Sequence, residues 1–434
     1  MTLHQHYLPA ARRLLDAAGL RRSLDEVCRL PGIEKVDVFP DVTVKDWGFP
    51  SGLAIRSRGY LYPLAVPDPG SGYHVSALPV RRDQLGPDEV RALYDAVASS
   101  VNHRDLRHEY PEVDLDRVLA DGLNYAAELH ADLGGPAAEP ADRGWHRAGV
   151  VARFDDDLKA TLRRSLGGAD GHYVAVQWIQ QLLDPGTAHR HGLRTGQLVV
   201  IIHIGARPMR EYIYRRYGIP AAEHSIHDGS ALPEQLRTGI FAVRSDSPYG
   251  EAYLDCAAAS ANFGYFNRHL VRLNVLAALA PRWGDLTGQA PLLQHRHHTE
   301  LSIAADQIVT ARRGVQRLDA DAGGEWLPDR REPLSYVAGG EFGSSYLVAA
   351  ANPDRYANLC GHGIPEWQPV GRFRDQIDDC LPHARAAVRN SAFDLQTFVR
   401  DLANLEETTA HVRDIGMARP VARLYPLVNF RSPI

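Results

Sequence analysis

The stretch QLVVIIHIGARPM, residues 197–209, decides the fold class. The five apolar residues 198–202 are typical of a buried strand, which His203 ends before a glycine turn and a helical pattern that starts at position 207. Proteins of the α/β class place reactive groups at such strand ends. The stretch therefore predicts an α/β chain that carries a reactive histidine at the end of a strand.

The same alternation of strands and helices continues on both sides of this stretch. Apolar residues at three- and four-residue spacing predict helices over 8–30, 87–131, 155–165, 207–217, 250–280 and 371–415. Short apolar runs between glycines and prolines predict strands over 36–78, 172–180, 197–203 and 301–350, and residues 132–146 read as a polar loop. Because no repeat and no low-complexity linker divides the chain, we expect residues 1–434 to form one large domain of α/β (α+β) type.

The composition excludes several classes of protein. A chain of 434 residues with 44% hydrophobic and 23% charged residues is globular, not disordered or fibrous. The 48 basic and 53 acidic residues give a net charge of −5, so a nucleic-acid surface must be a local one. The four cysteines show no CxxC spacing, which argues against a disulfide framework. Because no apolar run approaches the about 20 residues that span a bilayer and the N-terminus lacks a signal-peptide core, we expect no membrane association and a cytoplasmic location.

Several of the twenty histidines stand at informative places. His172 opens the apolar run YVAVQWI, His74 follows PDPGSG, HRHH spans 295–298, and His362 lies in CGHG. Imidazole is the commonest side-chain ligand of transition metals and also a competent nucleophile. Together with His203, these segments indicate a metal site gathered from separate strand ends, although each histidine alone also suits a packed core or a solvated loop.

Segments spread over nearly the whole chain resemble, in the same order, the motifs of the RtcB-type RNA ligase family, which joins RNA ends using GTP and manganese. The resemblance rests on FPDVTVKDWGFPSG (39–52), PGSGYHVSAL (69–78), SLGGADGHYVAVQ (165–177), HIGARPM (203–209), YLDCAAASANFGYFNR (253–268), HHTE (297–300), VTARRGV (309–315), GGEFGSSYLV (339–348), CGHGIPEW (360–367) and GMARPVARLYPLVNFR (416–431). It implies the RtcB-like fold, with mixed β-sheets around a central, histidine-rich metal cleft.

His362 matches the family histidine that attacks GTP and becomes guanylylated. A neutral imidazole is nucleophilic near neutral pH, and a chain with only three lysines favours a histidyl carrier of the nucleotide. The residues that follow depart from the family pattern, because Ile364, Pro365 and Glu366 stand where the family has Ala-Gly-Arg. A carboxylate thus replaces a guanidinium near the phosphates.

The resemblance also implies a metal centre. Its ligands by position are His74, His172, His203 and His298, or His297 in place of His298 if the match shifts by one residue. The family's metal-binding Asp has become His74 and its Cys has become Ala77. Because the anionic ligands that offset repulsion between two divalent ions are lost, we expect one tightly held ion. The family binds Mn²⁺, whereas nitrogen ligands also suit Zn²⁺, Co²⁺ or Ni²⁺.

The implied nucleotide site and function complete the expectations. The matching nucleotide-binding residues are Tyr173, Arg207, Gly340, Glu341, Tyr346 and Arg431, and Arg268 matches as a further phosphate clamp. The implied function is GTP-dependent ligation of RNA ends that bear a 3′-phosphate or 2′,3′-cyclic phosphate to 5′-hydroxyl ends, as in tRNA processing and RNA repair. Two alternatives stay open: transfer of GMP or another nucleotide to a small acceptor or peptide, and a non-catalytic protein that binds metal or RNA.

Overall fold

Two β-sheets carry most of the strands in the computed structural model, which describes residues 1–44, 49–102, 107–130, 154–169, 171–227, 229, 238–304, 306–318, 332–339, 343–356, 358–363 and 395–431. The first sheet has five strands in the order β1-β2-β3-β11-β10. Their bounds are β1 Thr2–Gln5, β2 Ile33–Thr43, β3 Ser51–Arg58, β10 Thr299–Ile303 and β11 Ile308–Arg313. β1 runs parallel to β2, and the other pairs are antiparallel.

The second sheet has seven antiparallel strands in the order β13-β14-β16-β6-β7-β5-β9. Their bounds are β5 Gly72–Arg81, β6 Tyr173–Leu182, β7 Gln197–Ile204, β9 Leu292–His297, β13 Ser335–Val337, β14 Ser345–Ala350 and β16 Ala418–Arg431. Two short pairs connect the parts: β4 Tyr60–Leu61 with β8 Val243–Arg244, and β12 Val315–Arg317 with β15 Leu359–Gly361.

The described helices surround these sheets. They are α1 Arg12–Ala17, α2 Leu20–Cys28, α3 Pro87–Ser100, α4 Leu115–Asp121, α5 Leu123–Leu129, α6 Asp156–Ser165, α7 Pro185–Arg190, α8 Arg207–Ile213, α9 Ile219–His227, α10 Pro248–Trp283, α11 Pro353–Tyr356 and α12 Leu395–Asp414. Short 3₁₀ turns cover Pro9–Ala11 and Arg82–Gln84, and a π turn covers Tyr214–Gly218. Within the described part of the chain, no helix is both long and apolar enough to pass through a bilayer.

The 36-residue helix α10 joins the cores of the two sheets. Its N-terminal half places Phe263 and Phe266 in the core under the five-stranded sheet, and its C-terminal half places Val271 and Val275 in the core under the seven-stranded sheet. A Cβ on Gly264 would lie 2.5 Å from the Gly70 carbonyl oxygen, so only glycine permits this approach. The helix therefore packs directly against the 69–72 turn, which leads into β5.

The α/β class predicted from the sequence is confirmed. The pattern over 8–30 forms two helices, because Gly19 adopts φ +92° between α1 and α2. The helix expected over 207–217 ends at Ile213 and continues as the π turn. Residues 132–146 and 371–394 lie outside the described part of the chain, and the single-domain organisation stays a prediction.

Candidate functional site

Four histidines form a row at the ends of three strands of the seven-stranded sheet and of one strand of the short β12–β15 pair. His172 precedes β6 and His203 lies near the end of β7, in antiparallel strands that pair Tyr173 with His203. His298 follows β9, and His362 follows β15. The ring centroids are 4.7 Å apart for His172 and His203, 5.0 Å for His203 and His298, and 4.4 Å for His298 and His362. Three of the four predicted metal ligands and the predicted nucleophile thus lie side by side.

The two central imidazoles face each other, with His298 buried and His203 half-buried. The Nε2 atoms of His203 and His298 are 2.9 Å apart, and the hydroxyl of Thr299 lies 3.2 Å from His298 Nδ1. Burial, followed by the charges of neighbouring histidines, lowers the pKa of both rings well below the ordinary value. Both side chains are therefore neutral near pH 7, the form in which imidazole binds a metal.

This pair fits a transition-metal ion. Two neutral nitrogens that face each other at 2.9 Å share either one proton or one cation. Two nitrogen ligands of a tetrahedral zinc ion, each about 2.05 Å from the metal, lie about 3.3 Å apart, so a small opening of the pair accommodates an ion. His172 Nε2 lies 3.8 Å from a carboxylate oxygen of Asp68, which adds an anionic group beside the row.

Asp68 is a carboxylate that the sequence analysis did not assign. It is buried, and Oδ1 accepts a hydrogen bond from the Ala206 amide at 3.3 Å. A Cβ on Gly205 would come within 2.6 Å of Asp68 Oδ2, so the glycine after the β7 strand makes room for this carboxylate. Its signal in the sequence is its place in PDPGSG, directly before the turn into β5.

The His362 imidazole is held by Asp41, a second carboxylate that was not assigned. Asp41 Oδ2 lies 2.7 Å from His362 Nδ1 and accepts backbone N–H bonds from His362 at 2.9 Å and Gly363 at 3.3 Å. Asp41 is 2% exposed, whereas a quarter of the His362 side chain is exposed. Because a carboxylate only accepts, Nδ1 carries the proton, and the lone pair of His362 is on Nε2.

Gly314 lies directly beside the Asp41–His362 pair. Its φ is +66°, and a Cβ there would lie 2.9 Å from His362 Cε1 and 2.5 Å from Ser51 Oγ. The His362 amide also donates to the Gly314 carbonyl at 3.2 Å. The strand pair β12–β15 thereby fixes the imidazole against Asp41 on one side and Gly314 on the other.

An arginine-rich cleft of about 890 Å³ opens at the His172 end of the row. Five arginines and two carboxylates are among its lining residues: Arg207, Arg210, Arg215, Arg313 and Arg431, with Asp68 and Glu211. Burial and the nearby Arg210 charge lower the pKa of Arg313 to about 10, although the Asp68 charge raises it in part, so Arg313 stays cationic at pH 7. The cleft is thus a local positive surface on a chain whose net charge is −5.

The structure does not bring His74 to the row. Tyr73 lies 4.6 Å from His203 and 5.2 Å from His298 by ring centroid, and successive side chains of a strand point to opposite faces. His74 therefore points toward α10, where its ring is 4.8 Å from that of His295. Burial, followed by the Arg272 charge, lowers the pKa of His74 well below its ordinary value.

The same alternation decides between His297 and His298. The His297 ring centroid is 3.8 Å from that of Tyr265 on α10, and its Nδ1 lies 2.8 Å from the Gly70 carbonyl oxygen. His297 thus faces the helix, whereas His298 faces His203 and His362. Of the two histidines, His298 therefore lies in the row and His297 does not.

The remaining predicted residues divide into three groups. Arg207 and Arg431 line the cleft, and the Tyr173 ring is 5.0 Å from His203. Tyr346 lies in a different place, because its hydroxyl donates to Glu406 of α12 at 2.8 Å. Gly340 and Glu341 lie outside the described residues.

Arg268 is a structural residue, not the expected phosphate clamp. Its side chain is 0% exposed, and Nη1 donates to the carbonyl oxygens of Gly70 at 2.6 Å and Ile204 at 2.8 Å. These two bonds tie the turn before β5 to the end of β7. Arg268 thus positions the strand ends that carry the histidine row and has no surface for a phosphate.

The family model and the relatives found by comparison with known proteins belong to one family. The family model described as tRNA-splicing ligase RtcB matches residues 23–364. The RNA-splicing ligase RtcB of Mycobacterium tuberculosis is 30% identical over 341 residues, which cover 72% of this chain and 75% of that protein. The tRNA-splicing ligases RtcB of Aeropyrum pernix and Pyrobaculum aerophilum are 26% and 25% identical, over 56% and 59% of this chain. The chain spans only 52% and 54% of the length of these two relatives.

Proposed function

This chain belongs to the RtcB family, and from that membership we propose that it is an RNA ligase that works through a guanylylated His362. The observation that carries the proposal is the Asp41–His362 pair at one end of the histidine row, with the arginine-rich cleft at the other end. The proposed nucleophile and the proposed phosphate-binding surface thus lie at the two ends of the row, with the proposed metal ligands between them.

The first step is attack of His362 Nε2 on the α-phosphorus of GTP. The N–P bond forms as the bond from the α-phosphorus to the bridging oxygen breaks, and pyrophosphate leaves. The imidazole keeps its Nδ1 proton and becomes cationic, and the Asp41 carboxylate at 2.7 Å stabilises that charge. No base is needed, because the attacking nitrogen carries no proton.

A divalent ion bound by His203 and His298, with His172 beside them, would supply Lewis-acid polarisation of a phosphate oxygen. The chain's own arginines bind and orient the phosphates, with Arg207, Arg210 and Arg431 at the cleft wall. GMP then passes from His362 to a 3′-phosphorylated RNA end, and attack by a 5′-hydroxyl end joins the two strands and releases GMP. Manganese is the family's ion, and the nitrogen-rich ligand set also suits Zn²⁺, Co²⁺ or Ni²⁺.

The experiment that tests this proposal is covalent labelling. The full chain is incubated with GTP labelled at the α-phosphate and with Mn²⁺, Zn²⁺, Co²⁺ or Ni²⁺ in turn, and an acid-labile label on the protein is measured. We expect a label that is lost in His362→Ala and kept in His189→Ala, which removes an exposed imidazole of α7. Absence of label with every metal contradicts the proposal and favours the non-catalytic binding protein.

The RNA acceptor is tested next. We expect the labelled protein to seal an RNA end with a 3′-phosphate or 2′,3′-cyclic phosphate to a 5′-hydroxyl end. Labelling without sealing of either substrate contradicts RNA ligation and favours nucleotidyl transfer to another acceptor. ATP in place of GTP determines the nucleotide preference in the same assay.

A further inference from the structure

A second cluster of metal-binding side chains lies on the edge of the five-stranded sheet. The donor atoms of His4, His6 and Asp37 all lie within 4.8 Å of one another. His4 Nδ1 and His6 Nε2 are each 3.2 Å from the same carboxylate oxygen, Asp37 Oδ1. These residues belong neither to the histidine row nor to the arginine-rich cleft.

Backbone pairing builds this cluster. β1 and β2 run parallel, with Cα of His4 opposite Cα of Asp37, and the pairing continues where the His6 amide donates to the Val38 carbonyl at 2.8 Å. Alternation along a strand puts residues 4 and 6 on the same face. From α12, His411 Nε2 lies 2.7 Å from the His6 carbonyl oxygen and fastens the end of the strand.

The spacing of the three donor atoms suits a divalent transition metal. Two ligands of a tetrahedral zinc ion, at about 2.0–2.1 Å from the metal, lie about 3.3 Å apart, close to the 3.2 Å separations observed here. The other oxygen of the carboxylate is 2.7 Å from Lys35 Nζ, which orients it as partners of metal-binding carboxylates do. The His4 side chain is 43% exposed, so water has access to the remaining coordination positions.

We propose that His4, His6 and Asp37 bind one zinc-class divalent ion that fastens β1 to β2. Two imidazole nitrogens and one carboxylate select Zn²⁺, Co²⁺, Ni²⁺ or Cu²⁺ over Mg²⁺ and Ca²⁺, which prefer sets of oxygen ligands. When the ion is bound, each imidazole carries its one proton on the ring nitrogen that does not face Asp37. This site is independent of the proposed ligase chemistry, because none of its ligands lies in the histidine row.

Zinc binding by the full chain tests the proposal. Metal-free protein is titrated with Zn²⁺ alone against a chromophoric chelator, and bound zinc is counted by mass spectrometry after dialysis. We expect His4→Gln/His6→Gln to bind one equivalent fewer than wild type. We expect Asp37→Asn to weaken that equivalent at least about tenfold, because even partners outside the ligand set change metal affinity by that factor. Zinc should raise the melting temperature of wild type by more than that of His4→Gln/His6→Gln, which keeps the histidine row.

The matched control is His189→Gln/His227→Gln, which removes two exposed imidazoles from α7 and α9. It should bind as much zinc as wild type. Circular dichroism without metal checks that the His4→Gln/His6→Gln variant folds, so that a missing equivalent reports the site. Equal zinc content in wild type and His4→Gln/His6→Gln overturns the proposal, and so does an equal loss in the control.

Discussion

Replacement of Asp41 by asparagine is the sharpest test of the proposed nucleophile. The carboxylate accepts three hydrogen bonds at 2.7, 2.9 and 3.3 Å, one of them from His362 Nδ1. All three bonds go to Oδ2, so asparagine, which keeps the shape of the side chain, places its amide oxygen at this position and still accepts from Nδ1. The nucleophilic nitrogen keeps its lone pair, but the cation that forms on attack loses its counter-charge.

The magnitude follows from the charge-assisted hydrogen bond between the imidazole cation and Asp41 that is lost. A hydrogen bond to a charged group contributes about 1.5–3 kcal/mol, and about 1.4 kcal/mol corresponds to tenfold in rate, which gives about 10- to 140-fold. We therefore expect Asp41→Asn to slow the labelling of His362 by about 10- to 140-fold.

The assay is single-turnover labelling with α-labelled GTP over a range of GTP concentrations. Loss of the counter-charge should lower the limiting rate and change little the GTP concentration at half-maximal rate. Asp83→Asn, which alters an exposed carboxylate paired with Arg81, serves as the control. A rate for folded Asp41→Asn within about threefold of wild type refutes the assignment of Asp41 as the group that stabilises the His362 cation.

Four further outcomes follow from the structure. Arg268→Ala should lower the free energy of unfolding by about 3–6 kcal/mol in urea titrations, because it removes two hydrogen bonds from a charged group, each of which contributes about 1.5–3 kcal/mol. A loss below about 1 kcal/mol argues against the structural role. Arg210→Gln should lower by about 0.7 the magnitude of the slope of log affinity for single-stranded RNA against log salt concentration, because Arg210 lines the cleft. Arg56→Gln, at an exposed position, is the control. An unchanged slope in Arg210→Gln would contradict a phosphate contact by this residue. His74→Gln should keep metal-dependent labelling and lower stability, and loss of labelling in the folded variant would return His74 to the metal site. Burial, with nearby charges, lowers the pKa of His269 to about 3 and holds the pKa values of His74 and His295 well below normal. Below about pH 6.5 the unfolded chain therefore binds more protons than the folded chain. The free energy of unfolding should be flat above about pH 7.5 and should fall below pH 6.5 by up to about 1.4 kcal/mol per pH unit for each histidine. Constant stability from pH 8 to 5.5 would contradict that expectation.

Local pattern was sufficient for much of the fold. The run 198–202 forms the strand β7 and the pattern over 250–280 forms α10, because strong apolar periodicity over a long segment leaves few alternatives. The break at Gly19 was not predicted, because one glycine with positive φ interrupts a pattern that otherwise remains helical. The apolar positions keep the same three- and four-residue spacing on both sides of Gly19, so the sequence pattern does not indicate the break.

The site was only partly predictable, since residues far apart in sequence meet there. The motif matches gave His172, His203, His298 and His362, which the structure places side by side. They could not show that His74 faces the helix, because the face of a strand residue depends on which neighbour covers each side of the sheet. Asp41 and Asp68 were missed for a related reason, as their roles depend on contacts 321 and 138 residues away along the chain.

The place of β16 in the seven-stranded sheet has a consequence for how the protein is made. Residues 418–431 pair with β14 on one side and β6 on the other, so they separate the β13–β14 hairpin from the strands that carry His172 and His203. β16 leaves the ribosome after all the other strands of that sheet, so a nascent chain keeps two open edges, at β14 and β6, until residues 418–431 have been made. Open edges of this kind are the surfaces through which β-proteins aggregate. The unfinished sheet is therefore exposed to aggregation during translation, and only the insertion of β16 closes both edges.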